Sequence, residues 1–205
     1  MQIRPANSFD LDSYYAIALA TGLAGKDAGH LYDDPLLIGH IYSAPYLCIQ
    51  PDYCFTAVDD FGVVGFVVGA PNTPEFETQL EEKWWPGLRL RYEDPLGIAP
   101  KNRSVDQMRA AMIHHPEIRA KHIVQRYPAH IHMNILPRGQ GRGIGTKLLE
   151  TWVENARKKG VKSVHLGASK QNMSGIKFWR KNGFAPIDGL MNQAKSRSVW
   201  LGQDI

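Results

Sequence analysis

The sequence predicts a mixed α/β (α+β) fold in a single domain covering residues 1–205, on three observations. Short β-branched apolar runs alternate with amphipathic helical patterns along the chain. Hydrophobic residues make up 43% and aromatic residues 10%, enough apolar mass for a core. The length suits one domain, and no linker, repeat or low-complexity tract divides it. The composition excludes wholesale disorder, and no apolar run approaches the ~20 residues of a membrane-spanning helix.

The N-terminal part is predicted to form a strand, two helices and a hairpin. Ser8 offers an N-cap for an amphipathic helix that stops near Gly22, and Pro45 breaks the second helix. The turn sequence Asp-Asp-Phe-Gly at 59–62 is typical of a hairpin. The predicted elements are a strand at 3–6, helices at 8–22 and 36–42, and hairpin strands at 53–58 and 63–68.

A helical insertion is predicted around residues 70–128. Thr-Pro-Glu at 73–75 begins its first helix, which has apolar residues at helical spacing and ends at Pro86. The following residues, 87–103, have no regular pattern. Two further helices are predicted at 105–113 and 116–126.

The C-terminal part returns to alternating strands and helices. Residues 130–136 alternate with period two, and residues 144–159 carry the clearest apolar stripe in the chain. Basic residues suit the negative C-terminal end of that helix, and Gly160 is a natural stop. The remaining predictions are strands at 161–166, 184–187 and 198–201 and a helix at 174–181.

Charge is distributed unevenly along the chain. The net charge is +4, but residues 138–181 hold 11 Lys and Arg against two acids, a net of +9, whereas residues 1–137 have a net of −5. The basic segment predicts an anionic ligand, with a solvated basic face as the alternative. Nucleic acid is disfavoured as the partner because no DNA- or RNA-binding motif accompanies the charge.

The two cysteines and the first residues bear on localisation. Cys48 and Cys54 cannot make a disulfide framework, and residues 1–5 lack the layout of a secretory signal. We therefore expect a cytoplasmic protein.

A glycine-rich turn at 137–147 is the strongest chemical signal. Glycine occupies every second position from 139 to 145, between a predicted strand and the best helix. Glycine permits a tight turn and close approach of a ligand, and free N–H groups at a helix N-terminus bind anions. The spacing fits neither a dinucleotide fingerprint nor a P-loop, in which Lys147 would have to precede Thr146.

Residues 140–145 match the pattern Gln/Arg-x-x-Gly-x-Gly/Ala and resemble the acetyl-coenzyme A loop of the GNAT acyltransferase superfamily. The preceding residues 133–137 match the strand-then-proline approach to that loop. Residues 172–184 resemble the second motif, in which an Asn opens a helix and Gly-Phe closes it. The chain is identified as a member of that superfamily.

A further resemblance covers most of the chain. The sequences at 35–39, 45–47, 53–55, 59–62 and 64–69 resemble the acetyltransferase-like C-terminal region of eukaryotic O-GlcNAcases. We expect a free-standing bacterial relative of that region. The eukaryotic region is regarded as having lost the coenzyme loop, which this sequence keeps whole, so the intact loop favours activity.

The resemblance implies a GNAT fold and acetyl-coenzyme A as cosubstrate, with no metal. The sheet would be mixed, mostly antiparallel, flanked by helices and splayed at the strand ending near Ile135. Backbone N–H groups of the loop would cradle the pyrophosphate, and the strand edge would pair with the pantetheine and polarise the acetyl carbonyl. The implied cosubstrate-binding residues are Met133, Ile135, Gln140, Gly141, Arg142, Gly143, Ile144, Gly145, Thr146, Asn172 and Trp179.

The catalytic groups are less well defined. His132 is the first candidate for the general base and His130 the second; the alternative for either is a histidine in the core. Counted back from the loop, the His-x-His of some family members would fall on 129 and 131, and a shift of one residue on a strand reverses the face. Asn134 shares the face of the two histidines and would position a water or substrate. Zinc is disfavoured, since no Cys or acidic residue lies at ligand spacing.

The proton donor to the leaving thiolate is also open. The Tyr of the family's second motif falls on Trp179, whose indole N–H is no practical acid. Either the thiolate leaves unassisted or another group serves.

The expected function is an acetyl-coenzyme A-dependent N-acetyltransferase that acts by direct attack of an amine on the thioester. The acceptor would be a small molecule, a peptide or a protein lysine. The alternative is a catalytically weak or inactive acetyl-coenzyme A sensor or interaction module, and the final strand would allow a homodimer. Residues that would line the acceptor side, or else form a polar turn and a core stripe, are Tyr32, Asp33, Asp34, Phe76, Trp84, Trp85 and Tyr92.

Overall fold

A computed structural model describes residues 1–187 and 198–205, and the strands there form one seven-stranded sheet. The strands are β1 (Gln2–Pro5), β2 (Cys54–Asp59), β3 (Gly62–Ala70), β4 (Ala129–Ile135), β5 (Ser163–Ser169), β6 (Ala185–Pro186) and β7 (Ser198–Asp204). Their order across the sheet is β1-β2-β3-β4-β5-β7-β6. Only β4 and β5 run parallel; the other neighbours are antiparallel. The predicted mixed, mostly antiparallel sheet is confirmed.

Helices cover both faces of this sheet. They are α1 (Leu11–Ala20), α2 (Leu37–Tyr42), α3 (Ala44–Ile49), α4 (Thr73–Gln79), α5 (Trp85–Arg91), α6 (Val105–His114), α7 (Lys121–Arg126), α8 (Ile144–Lys158) and α9 (Met173–Lys181). One core packs α8 and α9 against the sheet, and a second core packs α1 to α6 against the other face. The helices α4 to α7 lie between β3 and β4 in the chain and form the predicted insertion around 70–128. None of the helices in the described part of the chain is both long and apolar enough to cross a bilayer.

Side chains alternate along β4, and this alternation separates two environments. Ile131 and Met133 pack into the core under α8. His130 and His132 point to the opposite face, where both rings lie against Tyr46 at centroid distances of 5.4 and 5.5 Å. We call the side of β4 that carries His130, His132 and Asn134 the histidine face.

The strands β4 and β5 separate after a short paired segment. Only Ala129↔Val164 and His130↔His165 are in register, although both strands continue for five or four further residues. On its other edge β4 stays paired with β3 as far as Gly65↔Ile135. The sheet is therefore splayed beside the second half of β4, as the resemblance implies.

A proline begins a helix at two places where the sequence predicts none: the helix predicted at 36–42 agrees with α2 but α3 was not predicted, and the helix predicted to end at Pro86 continues past it. Pro45 lies in the first turn of α3 and Pro86 in the first turn of α5. A first-turn N–H has no intrahelical acceptor, so proline loses nothing there. The chain is consequently helical over Trp85–Arg91, where the sequence predicts an irregular segment, and Leu80–Trp84 connects α4 to α5 as a π-helical turn.

The start of the first helix also differs from the prediction. Asn7, not Ser8, supplies the cap: its side chain accepts the Phe9 N–H at 3.0 Å, and Asp10 accepts the Asn7 N–H at 3.0 Å. This reciprocal pair caps a short 3-10 turn that leads into α1.

Candidate active site

The glycine turn presents consecutive free backbone N–H groups at the start of α8. Gly141 and Gly143 have φ values of +71° and +77°, a left-handed conformation that favours glycine. Gly143 is the N-cap of α8 and supplies no side-chain cap. Among the described residues, none of the six N–H groups from Gly141 to Thr146 has a well-formed hydrogen-bond acceptor. We call these six groups the amide cradle; the helix dipole adds positive potential there.

The cradle begins one residue later than the sequence predicts. The backbone N–H of Gln140 donates to the Pro137 carbonyl at 3.1 Å, so it is used within the turn. The Gln140 side chain instead donates from Nε2 to the Ile135 carbonyl at 2.9 Å, which ties the turn to the end of β4. Gln140 thus positions the cradle rather than extending it.

Two of the three basic side chains of the turn are free to meet an anion. Arg138 is committed to the β2–β3 hairpin, because it pairs with Asp59 at 3.2 Å and donates to the Val63 carbonyl. Arg142 and Lys147 are exposed and have no ion-pair partner in the described part of the chain. Their charges therefore add to the field at the cradle.

The splayed edge of β4 leads away from the cradle. The Leu136 N–H donates to Val64 of β3, which sets the alternation of hydrogen bonds along the strand. By that alternation the peptide groups of Met133 and Ile135 point away from β3, into the gap beside β5. Both residues lie beyond the paired part of β5, so the N–H and carbonyl of Met133 and the N–H of Ile135 are available to an extended ligand, whereas the Ile135 carbonyl accepts from Gln140.

The second motif contributes helix capping and core packing. The Asn172 side-chain oxygen accepts the Gly175 N–H at 2.9 Å and the Ser174 hydroxyl at 3.1 Å, so only its Nδ2 remains for a ligand. Trp179 is buried and packs edge-on against Phe184 at 5.0 Å. Its role in cosubstrate binding stays a prediction, and its place in the core explains an aromatic residue there.

Gly145 shows how the two motifs meet. A Cβ at this position would lie 3.1 Å from the Phe178 ring of α9. A larger residue would therefore push α9 away from the first turn of α8. Sequence reasoning assigned Gly145 to the ligand, and the structure adds this packing reason for glycine.

His130 is held by hydrogen bonds at both ring nitrogens. The Thr73 hydroxyl donates to the Pro128 carbonyl at 2.7 Å, so at 2.8 Å it accepts from the His130 Nδ1–H. His130 Nε2 then accepts from the Tyr46 hydroxyl at 2.9 Å. Burial holds the pKa of His130 well below its usual range. This is the geometry of a neutral histidine fixed in the core.

His132 is the freer imidazole of the histidine face. It is half-buried and makes no hydrogen bond with any described residue, in contrast to His130. Burial, with the charge of Arg119 as the next cause, lowers the pKa of His132 to about 4. The ring is therefore neutral at pH 7, with an unprotonated nitrogen available.

Asn134 completes the predicted catalytic set. Its Nδ2 donates to the Thr21 hydroxyl at 2.6 Å, and that hydroxyl donates to the Ile17 carbonyl at 2.7 Å. Asn134 is thereby anchored to the end of α1, which leaves its side-chain oxygen to accept a hydrogen bond from a water or ligand.

The predicted acceptor-side residues divide into three groups. Phe76 and Trp85 are buried in the core, and Trp84 donates its indole N–H to the His40 carbonyl at 2.8 Å. Asp34 is bound by Arg91 and the Tyr92 hydroxyl and lines, with Asp33, a cleft of about 510 Å³. Tyr32 contacts the surroundings of the histidine face through Arg109, and Phe76 lies 5.5 Å from the His130 ring and stacks on Tyr46.

Sequence reasoning missed several groups beside His132. Tyr42 and Tyr46 approach the His132 ring at 6.1 and 5.5 Å, and Arg119 stacks over Trp200 at 4.4 Å. Tyr42 and Tyr46 lie four residues apart on adjoining short helices, and this spacing in the sequence could have identified them as a pair. Arg119 lies in the irregular stretch between α6 and α7 and carries no motif. Across residues 1–187 and 198–205 no three His, Cys, Asp or Glu side chains are grouped as metal ligands would be.

Comparisons with known proteins agree with this fold. The family model described as the acetyltransferase (GNAT) family matches residues 109–184. The crystal structure of SsHAT has a TM-score of 0.88 and 32% identity, covering 99% of this chain and 97% of that one. The PaiA N-acetyltransferase from Thermoplasma acidophilum, solved with coenzyme A, shares the fold with a TM-score of 0.58 and 16% identity, over 100% and 98% of the two chains.

Curated relatives are more distant. Protein O-GlcNAcase from Rattus norvegicus is 19% identical over 167 residues, and the same protein from Mus musculus matches equally. The match covers 77% of this chain but only 18% of the length of each O-GlcNAcase.

A sheet that splays between β4 and β5, with the amide cradle beside the gap, is characteristic of folds that bind acyl-coenzyme A. The chain belongs to the GNAT acetyltransferase family, which is a family of acetyl-coenzyme A-dependent acyltransferases. The weak likeness to O-GlcNAcase is consistent with the resemblance in the sequence.

Proposed function

We propose that this chain transfers the acetyl group of acetyl-coenzyme A to an amine nitrogen, by direct attack of the amine on the thioester. The observation that carries the proposal is the amide cradle, six free N–H groups at the start of α8 beside a splayed strand edge. Arg142 and Lys147 add unpaired positive charge next to it.

The residues present fit coenzyme A as a ligand. A pyrophosphate suits consecutive N–H groups at a helix N-terminus, and the left-handed glycines keep side chains away from them. The N–H and carbonyl of Met133 and the N–H of Ile135 offer the hydrogen bonds of a strand edge to the pantetheine, and Asn172 retains one donor. When bound, acetyl-coenzyme A supplies an activated acyl group to the attacking amine.

On the histidine face, His132 is the proposed proton acceptor. A nitrogen that forms a bond to an acyl carbon becomes strongly acidic, so a weak base is sufficient to take its proton. Because the pKa of His132 is about 4, the imidazole is unprotonated throughout the physiological range. Asn134 and the Tyr46 hydroxyl orient groups around this position, and Tyr46 is itself held by His130.

The leaving thiolate requires no acid from Trp179 in this scheme. A thiolate is a modest base, and the buried indole of Trp179 has no acidic proton to give. A sensor without turnover is the second candidate, favoured by this same residue.

The cradle is tested by paired substitutions at the two ends of α8. Gly143→Val and Gly160→Val both place a β-branched residue at a left-handed position, φ +77° and +84°, where a Cβ meets no atom within 4 Å. Both should lose about 1–2 kcal/mol of stability. Only Gly143→Val should reduce acetyl-coenzyme A affinity, by about 100-fold or more, in calorimetric titration.

Turnover is then tested on the wild-type protein. Acetyl-coenzyme A should raise the melting temperature by binding the native state, and free coenzyme A thiol should be released when a suitable amine is added.

Equal affinity of Gly143→Val and Gly160→Val for acetyl-coenzyme A would refute the amide cradle. Binding with no thiol release across primary amines would favour the sensor.

A further inference from the structure

Two arginines flank the histidine face without forming an ion pair to any acid among the described residues. Arg109 donates from Nε to the Tyr32 hydroxyl at 2.9 Å and from Nη1 to the Tyr42 hydroxyl at 3.2 Å. Arg119 lies over the Trp200 ring at 4.4 Å. Both side chains are half-buried, and each is fixed by neutral groups rather than by a carboxylate.

Both arginines are close to His132. The Arg109 guanidinium is 5.4 Å from the Tyr42 ring, and that ring is 6.1 Å from the His132 ring. Trp200, beneath Arg119, is 6.0 Å from His165, the residue paired with His130 across the two parallel strands. The positive charge of Arg119 also contributes to the lowered pKa of His132. Arg109 and Arg119 therefore border the position at which an amine would meet His132.

Arg109 and Arg119 are half-buried and form no ion pair in the described residues; Arg103 is another arginine in this state, and its Nε donates to the Ile98 carbonyl at 2.9 Å. Five other arginines of the described residues form ion pairs with Asp or Glu, namely Arg4, Arg89, Arg91, Arg126 and Arg138. Neither Arg109 nor Arg119 lies within 4.0 Å of a carboxylate oxygen in residues 1–187 and 198–205. A half-buried charge without a counter-ion is costly, so a ligand that supplies one is favoured.

Two nearby acids, Glu77 and Asp106, accept backbone N–H groups, and the charge of Arg119 also acts to lower the pKa of Glu77, against the larger effect of burial. Glu77 accepts the backbone N–H of Arg119 at 3.0 Å, not its guanidinium. Asp106, on the same helix as Arg109, accepts the backbone N–H groups of Asp33 and Asp34 at 3.2 and 2.9 Å. Two guanidinium groups thus remain with donors for an incoming anion.

We propose that the acceptor is a small amine that also carries an anionic group, which Arg109 and Arg119 bind while the nitrogen faces His132. The inference rests on the proposed acetyl transfer and narrows its acceptor. Guanidinium groups bind carboxylate and phosphate through charge-assisted, often bidentate hydrogen bonds. The same two charges repel polyamines, although the acidic N-terminal part of the chain suggests a cationic acceptor.

The inference is tested by binding to the protein saturated with coenzyme A, which requires no turnover. Matched probes are serine against serinamide, glucosamine 6-phosphate against glucosamine, and spermidine as the polycation. At least one anionic probe should bind ten times more tightly than its neutral partner by calorimetry, and spermidine should not bind. A preference for serine over serinamide would identify the anionic group as a carboxylate, and a preference for glucosamine 6-phosphate over glucosamine would identify it as a phosphate.

Variants connect that preference to the two arginines. Arg119→Gln and Arg109→Gln should weaken the anionic probe about 10- to 100-fold and abolish its advantage. Arg119→Lys keeps the charge and should therefore retain part of the affinity for the anionic probe that Arg119→Gln loses. Arg157→Gln, at an exposed position on α8, should change nothing. Melting temperatures confirm that the variants are folded.

The outcomes separate the inference from the proposed function. Any of three results overturns the inference. The neutral probes or spermidine bind as tightly as the anionic probes or more tightly, no anionic probe binds, or the preference for the anionic probe survives in both Gln variants. Thiol release only with amines that lack an anionic group overturns it too and leaves acetyl transfer standing. Binding of the anionic probe without thiol release supports the inference and contradicts acetyl transfer.

Discussion

The amide cradle and the histidine face lie on the two sides of one strand, yet they are built in different ways. The cradle consists of backbone groups from six consecutive residues, held by glycine conformation and the start of α8. The histidine face consists of side chains from α2, α3, β4, β7 and the stretch between α6 and α7. A local backbone site leaves a motif in the sequence, whereas a site assembled from distant side chains does not.

The largest effect is expected from removing the free imidazole. His132→Gln should lower kcat by about 10²- to 10⁴-fold, the usual contribution of a general base, and should leave acetyl-coenzyme A affinity unchanged. Steady-state kinetics and calorimetry measure the two quantities separately.

His122→Gln is the matched control, because His122 is an exposed histidine on α7. Its kcat should equal that of the wild type. If His132→Gln also retains wild-type kcat, the histidine face contains no base at this position.

Acid should destabilise the protein through its buried histidines. His40, His132 and His165 each have a pKa of about 4, against 6.5 in the unfolded chain, chiefly because burial disfavours the charged ring. Between these pH values the unfolded state binds more protons, so the free energy of unfolding falls as pH falls from 6.5 towards 4. The pKa of His130 also lies well below its usual range, so four histidines contribute to the loss from about pH 6.5 to about 5.5, at roughly 1 kcal/mol each, or about 4 kcal/mol in total.

Urea unfolding at both pH values measures that loss. Glu77 offsets part of it, since burial raises the pKa of that carboxyl. His132→Gln should reduce the pH dependence by about a quarter and His122→Gln should not. A free energy of unfolding that is constant over this range would show that the four rings are not neutral in the folded state.

A smaller effect is expected where the cradle joins β4. Gln140→Ala removes the 2.9 Å hydrogen bond to the Ile135 carbonyl and lets the turn move relative to the strand edge. A neutral hydrogen bond contributes about 1 kcal/mol, so acetyl-coenzyme A affinity should fall about fivefold.

Gln125→Ala, at an exposed position on α7, is the control for this change. Calorimetric titration of the two variants measures the difference. Equal affinities would mean that the turn keeps its position without the Gln140 side chain.

The sequence predicts the cradle side of the molecule well, for physical reasons. Glycines at 141 and 143 are needed for the left-handed turn, and the apolar stripe of α8 follows the helical period. The hairpin is predicted on similar grounds, whereas the splay beside β4 is implied by the family resemblance. The first-turn prolines 45 and 86 were misread, because the same residue that ends one helix also begins another.

The histidine face was only half predictable. His130 and His132 stand out as a pair two residues apart, but their roles differ through contacts that the sequence does not reveal. Thr73 and Tyr46, both far from β4 in the chain, fix His130 and leave His132 free. Arg119 reaches the same place from an irregular stretch, residues 116–120, where the sequence predicts a helix that the structure begins only at Lys121, so only the folded chain shows its position.

The central claim is that the N–H groups from Gly141 to Thr146 hold acetyl-coenzyme A. Amide hydrogen exchange, read residue by residue with and without saturating acetyl-coenzyme A, tests it most directly. With acetyl-coenzyme A bound, hydrogen exchange should slow at these six amides, while exchange of the Gly160 amide at the far end of α8 should be unaffected. Unchanged exchange across Gly141 to Thr146, with protection only elsewhere in the chain, would contradict it.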